Sequence, residues 1–305
     1  MRYPNALAIP LLAAALAAAC GDDPTSQADA GADGGTDTDT DVDTDIPDHD
    51  AGLAGPCPAE DKVGWFSVEH RSIYSAITGE VSDGVVPATI PQSQESEGDC
   101  ILLQRINPVC DPPCESGFTC DYDGECIPYP SKLNVGAVVV EGLITDVVIT
   151  PNGQNDYSFT DLPSDGPPFE DGAEITLGAA GNETEAFALD GFGVEALEMP
   201  DDEWVMIDGE SLDISWTPSD GEGHILASFN VDQHGNSPVT MFCELDDTGS
   251  ATIPAGLISL LIEYGVSGFA RGDLFRRTID STYIEVGCVQ FEVFSHAEAT
   301  LSVGP

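Results

Sequence analysis

Eight cysteines, Cys57, Cys100, Cys110, Cys114, Cys120, Cys126, Cys243 and Cys288, are the residues of this chain whose type and spacing say most about chemistry. Sulfur of this kind either bonds to sulfur or, as thiolate, to a metal. Cys110 to Cys126 runs C-x3-C-x5-C-x5-C with Pro112, Pro113, Gly117 and Gly124 in between, a compact stretch of turns suited to covalent staples. Zinc is the rival reading for four close cysteines, but the paired C-x2-C arrangement is missing. Eight cysteines allow on the order of a hundred connectivities. From spacing we expect Cys110–Cys120, Cys114–Cys126, Cys57–Cys100 and Cys243–Cys288.

Other chemistry is thin. A nucleophilic hydrolase needs a serine or cysteine near a histidine, and no G-x-S-x-G turn occurs. The five histidines are His49, His70, His224, His234 and His296. His224 and His296 fall on the polar parity of strand-like segments and read as exposed surface. A metal site made of His224, His234 and Asp232 would lack the short two-histidine spacing of zinc hydrolases. With 55 acidic residues, neighbouring carboxylates arise by chance and carry no glycosidase signal. Acidic turns at Asn152, Asn155 and Asp156, at Asp201, Asp202 and Glu203, and at Asp246 and Asp247 offer oxygens of the kind Ca²⁺ takes. We read them first as turn residues that bond their own backbone, which leaves Asp201, Asp202, Asp246 and Asp247 as weak calcium candidates. Arg271-Gly272-Asp273 matches an integrin-binding tripeptide and reads as a chance match in a turn. No catalytic residue and no cofactor is expected.

The N-terminus supplies an address. Arg2 precedes an apolar run from Ala6 to Ala19 that ends in small residues, the order of a secretory signal; interrupted by Pro10, it is short for a membrane span. Leu16-Ala17-Ala18-Ala19-Cys20 resembles the lipobox of bacterial lipoproteins, with Ala17 where leucine is usual. The resemblance implies removal of residues 1–19 and acylation of Cys20, which would anchor the chain in a lipid bilayer. Gly21 after the cysteine implies onward sorting to the outer membrane. Cleavage after Ala19 with release of a secreted protein is the alternative.

Residues 20–56 contain neither aromatic residues nor Lys or Arg and carry Asp37, Asp39, Asp41, Asp43 and Asp45. Such a segment buries too little apolar surface to offset chain entropy, so we expect a disordered acidic tether. An ordered calcium loop is the rival, without the glycine that turns such loops. The whole chain of 305 residues has a formal net charge of -47, with no Lys or Arg between Lys132 and Arg271. Binding nucleic acid through a basic patch is excluded on those grounds.

The elements that must position these residues read as strands. Val289, Phe291, Val293, Ala297, Ala299, Leu301 and Val303 share one parity, and Gln290, Glu292, His296 and Glu298 the other, the pattern of a strand with one buried face. Leu212–Thr217, Ile225–Val231 and Val239–Leu245 repeat it. Cys243 thus points inward, in reach of Cys288. Further strands are expected at Trp65–Val68, Ser75–Val81, Val135–Gly142, Ile175–Ala179, Glu185–Leu189 and Val194–Met199. Pro254–Ile262 reads as a short helix, with Pro at its start and Gly265 beyond its end. The expected fold is all-β: a small disulfide-stapled domain over residues 57–150 with a Cys-rich excursion at 100–130, then an immunoglobulin- or fibronectin-like sandwich over 151–305. Trp65 and Trp204 are expected in the core, although an exposed aromatic on a sheet face would point to glycan binding.

Cys110 to Cys126 looks like half of an EGF-type module, and Leu212 to Pro218 resembles the tryptophan-bearing strand of immunoglobulin-like domains. Most of the chain resembles a group of outer-membrane lipoproteins of the myxobacterial type. The likeness rests on Cys20, the Asp/Thr tether, Cys110-Asp111-Pro112-Pro113-Cys114, Gly124-Glu125-Cys126-Ile127-Pro128-Tyr129-Pro130, and Cys243 through Gly249 to Ile253-Pro254-Ala255. It implies location and architecture and no activity. The expected function is a non-catalytic surface protein that binds an envelope glycan or a protein. An extracytoplasmic hydrolase assembled from distant loops and a structural envelope component are the alternatives.

Overall fold

The computed structural model describes residues 52–163, 166–232, 238–267 and 270–304; Cys20, the tether run, His49 and His234 lie outside them. Its strands are β1 (Lys62–Arg71), β2 (Tyr74–Val81), β3 (Pro91–Glu97), β4 (Cys100–Arg105), β5 (Phe118–Cys120), β6 (Cys126–Pro128), β7 (Val138–Glu141), β8 (Val147–Ile149) and β9 (Tyr157–Phe159). They continue with β10 (Glu174–Ala179), β11 (Phe187–Phe192), β12 (Glu203–Met206), β13 (Leu212–Ser215), β14 (His224–Asn230), β15 (Val239–Leu245), β16 (Ser250–Ile253), β17 (Arg271–Ile284) and β18 (Gly287–Val303). Among the described residues one α-helix, α1 (Ala255–Tyr264), follows Pro254 and turns Leu257, Ile258 and Leu261 inward, one apolar stripe on a short helix.

The protein is all-β, as its alternating segments predict. Ten of the described strands form one large sheet, in the order β3-β4-β15-β14-β17-β18-β1-β2-β9 with β12 also on β18. β1 and β12 each lie parallel to β18; the other pairs are antiparallel. The long β17–β18 hairpin runs through the middle of the sheet, and its inward face serves two cores. Phe66, Ile77, Phe291 and Val293 pack with the four-stranded sheet β11-β10-β7-β8 through Val138, Ile175, Leu177 and Leu189. Farther along the same face, Phe229, Met241, Leu274 and Leu301 pack with Trp204, Ile214, Trp216 and α1. Strands from both sides of residue 150 share the large sheet, because β4 pairs with β15 and β1 with β18.

At two positions of the large sheet an aromatic ring lies where a side chain would start, and only glycine fits. A Cβ on Gly79 would lie 2.1 Å from the Phe66 ring, its cross-strand neighbour, and one on Gly272 would lie 2.5 Å from the Trp204 indole. Arg271-Gly272-Asp273 is therefore part of β17 and roofed by a tryptophan, where a turn was expected. Val194–Met199 also departs from expectation: it is a strap without strand structure and pairs with no sheet.

The bridges are Cys110–Cys120, Cys114–Cys126, Cys57–Cys288 and Cys100–Cys243. The first two are as expected from spacing and staple the β5–β6 finger. The other four cysteines exchange the expected partners. Cys243 does face inward, but register places it opposite Cys100 of β4. Cys288 begins β18 in the other core's half of the sheet, beside Lys62 and Tyr283, where Cys57 reaches it. Closeness in sequence favoured the wrong pairs because the sheet brings distant strands side by side.

Candidate functional site

The large sheet has a second face, turned away from both cores, and the even-numbered residues of β18 lie on it. Lys62, Arg71, Arg271, Arg277, His224 and His296 gather there, an unusual share of the basic groups of so acidic a chain. Two ion-pair chains organise all of these but Lys62. In the first, Arg277 bonds Glu244 and lies 3.3 Å from Glu292, while His224 Nε2 is 3.2 Å from Glu244. In the second, Arg71 bonds Glu69 at 3.0 Å and Arg271 lies 2.7 Å from Asp273.

His296 joins Arg71 to Asp273, with Nδ1 2.8 Å from the guanidinium and Nε2 2.7 Å from the carboxylate. An arginine only donates and an ionised aspartate only accepts, so the partners require the neutral ring with its proton on Nε2. His296 is buried, contrary to the exposed reading. The alternation that put it on the polar face is correct, but that face is itself packed: the Phe275 ring lies 4.7 Å from the imidazole and 5.6 Å from Phe294. His224 is likewise mostly covered.

Burial raises the pKa of Glu244 and Asp273. His224 and Arg277 beside the first, and His296 and Arg271 beside the second, outweigh it and hold both carboxyls below the ordinary range. On the core side of β1, burial keeps His70 below the usual histidine value, with Nδ1 3.1 Å from Ser75 Oγ. The sign of the pH dependence follows. Folded Glu244 and Asp273 hold protons less tightly than the unfolded chain, so their stabilisation is complete above about pH 4.5 and is lost as pH falls through their lower folded values. His70 is stabilising as the neutral ring above about pH 6.5 and loses that as the unfolded chain protonates below it. The urea midpoint is expected to fall in two steps on acidification. The lower step should shrink in Asp273→Asn and the upper in His70→Asn; a midpoint flat to about pH 3 would contradict the assignment.

Beside these chains, Lys62, Trp65, Ser67, Glu69, Thr78, Glu292 and Phe294 line an open depression of about 400 Å³. Trp65 is 38% exposed, whereas Trp204 and Trp216 are 2% and 3% exposed. Trp204 is therefore core as expected and Trp65 is not. Phe66 takes the inward position on β1, which leaves its neighbour Trp65 on the outer face. No described side chain lies within ion-pair distance of the Lys62 ammonium. Burial and nearby Arg277 depress its pKa, while Glu292 supports its charge. Trp65, expected in the core, is instead the exposed aromatic of a sheet face.

The calcium candidates do not converge. Asp247 gives its oxygens to Arg276 and to the Trp216 indole N–H. Asp201 Oδ1 accepts from Glu203 N at 3.1 Å, and Asn152 Oδ1 from Gln154 N at 2.7 Å, the local bonds expected of turns. Among the described residues, one cluster of metal-ligand type has donor atoms within 4.8 Å of one another: Cys110, Cys114 and Cys126. Their sulfurs are held in the finger's disulfides. Arg271 folds back on Asp273, with Nε 2.9 Å from both carboxylate oxygens, so the tripeptide is engaged within the sheet.

Fold and site define a disulfide-stapled all-β protein with one packed, charged sheet face and an aromatic depression on it. No family model matches the chain, and no curated protein matches it.

Proposed function

We propose that this protein is a non-catalytic, lipid-anchored surface protein of the outer membrane, in which the outer face of the large sheet binds an envelope glycan or a protein partner. The observation that carries the reading is the open depression beside the exposed Trp65. A large aromatic left accessible among fixed polar groups is the composition of a binding site. The secretory signal, Cys20 and the acidic stretch to residue 56 support anchorage and a spacer that presents this face away from the membrane. The hydrolase alternative finds less support: Glu244, the carboxylate beside His224, is engaged by Arg277 and held ionised, which suits structure better than proton transfer.

Cys20→Ala is expected to move the protein from the membrane fraction to the soluble fraction, and unchanged fractionation would remove the anchor. Retention of envelope material on the immobilised protein should fall in Trp65→Ala. If wild type retains no glycan and no protein, the structural-component reading replaces this one.

A further inference from the structure

We infer that the Trp65 depression binds an uncharged pyranose ring, stacked on the indole and hydrogen-bonded by Lys62, Glu69 and Glu292. This rests on the binding role proposed above and names its ligand class. The first observation is chemical. A pyranose presents a C–H face, which packs on an aromatic plane, and a rim of hydroxyls, which both donate and accept. The depression offers the matching set: the exposed Trp65 with Phe294 beside it, a cation that only donates, carboxylates that only accept, and the Ser67 and Thr78 hydroxyls 3.1 Å apart.

The second observation is Lys62. Its ammonium has no ion-pair partner among the described residues, although the neighbouring cations of the face, Arg71 and Arg277, each hold a carboxylate. It is thus the basic group of this face left to meet a ligand. Burial also disfavours its charge, and a ligand hydroxyl accepting from it would relieve that cost.

The third observation is electrical. The depression itself is lined by one cation, Lys62, and two carboxylates, Glu69 and Glu292, which Arg71 and Arg277 respectively already engage. The chain as a whole has a formal net charge of -47 and repels anionic polymers at long range. A site without excess positive charge in an anionic protein suits an uncharged polyhydroxy ligand better than an acidic sugar. The volume of about 400 Å³ lies within the size range of small-molecule sites.

Trp204 and Trp216 are buried, so acrylamide quenching of indole fluorescence in the full mature chain reports on Trp65. Methyl β-D-glucopyranoside, methyl β-D-galactopyranoside, N-acetylglucosamine and glucuronate are the probes. At least one of the three neutral sugars is expected to protect Trp65, half-saturating on the order of 1–10 mM, as a small ligand with few atoms would. Saturation-transfer NMR should show the same sugar bound to wild type and lost in Trp65→Ala. Lys62→Met should weaken it at least about tenfold, with an unchanged circular-dichroism spectrum in both variants. Glucuronate should bind more weakly than the neutral sugar. No protection by any neutral sugar, saturation transfer that survives Trp65→Ala, or tighter binding of glucuronate would overturn the inference. If the sugars fail while envelope material is still retained through Trp65, the ligand class falls and the binding role stands; if retention fails too, both fall.

Discussion

Replacing Arg276 by methionine is expected to destabilise the protein by about 3–5 kcal/mol, the cost of breaking a buried ion pair by removing one partner. Arg276 lies on the inward face of β17, where the two apolar cores meet, and is 1% exposed. Its guanidinium is fully used. Nε and Nη2 bond the two oxygens of Asp247 at 2.6 and 3.3 Å, Nη1 donates to Glu195 O and Ala196 O at 3.1 and 3.3 Å, and Nη2 donates to Thr217 O at 2.5 Å. Asp247 in turn accepts from the Trp216 indole at 2.6 Å. The arginine thus ties the 194–199 strap and the turn after β13 to the central hairpin. Methionine fills most of the volume but leaves a buried carboxylate and three carbonyls without their donor. Urea unfolding should show the loss, and Asp247→Asn in the same chain should return part of it by removing the stranded charge. A loss below about 1 kcal/mol would mean that the pair only breaks even against its desolvation.

That same arginine shows where the sequence stops being legible. β14 and β15 alternate inward and outward residue by residue, and their apolar parity announces them. In β17, Arg276, Arg277, Thr278 and Ile279 are consecutive and all buried, because one face meets the strap and the other is packed by its neighbours' long side chains. Burial on both faces with polar residues on each erases the two-residue signal, and no strand was expected there. The candidate site suffered a related ambiguity. Alternation says that Trp65 and Phe66 lie on opposite faces of β1, but not which face is roofed. The parallel pairing of β1 with β18 joins segments more than 200 residues apart, and local pattern carries no information about such partners. Turn chemistry, α1 and the finger's staples depend on near neighbours, and those were legible.

The disulfides should divide sharply into two classes. Cys57–Cys288 spans 231 residues of sequence and encloses Cys100–Cys243, which spans 143. Cys110–Cys120 and Cys114–Cys126 span 10 and 12. Cross-linking distant residues removes more freedom from the unfolded chain, so loss of Cys57–Cys288 is expected to cost about 4–5 kcal/mol and loss of either finger bridge about 3 kcal/mol or less. The consequences also differ in place. Cys57 and Cys288 clamp the segment before β1 to the start of β18, so the Cys57→Ala/Cys288→Ala variant should unfold the large sheet at lower urea as one cooperative step. The Cys114→Ala/Cys126→Ala variant should loosen the finger while the sheet keeps nearly its original midpoint, because β5 and β6 pair only with each other. A peptide map of the unreduced protein checks the pairing itself: a linked fragment containing Cys100 with Cys243 is required by the register of β4 on β15, and one containing Cys57 with Cys288 by the bridge at the start of β18. Fragments joining Cys57 to Cys100 would contradict that register, and equal losses of stability in the two double variants would contradict the loop-length argument. In the nested pair, the inner bridge should contribute less once the outer one is closed, since the outer bridge has already restricted the ends of the unfolded segment that the inner one must join.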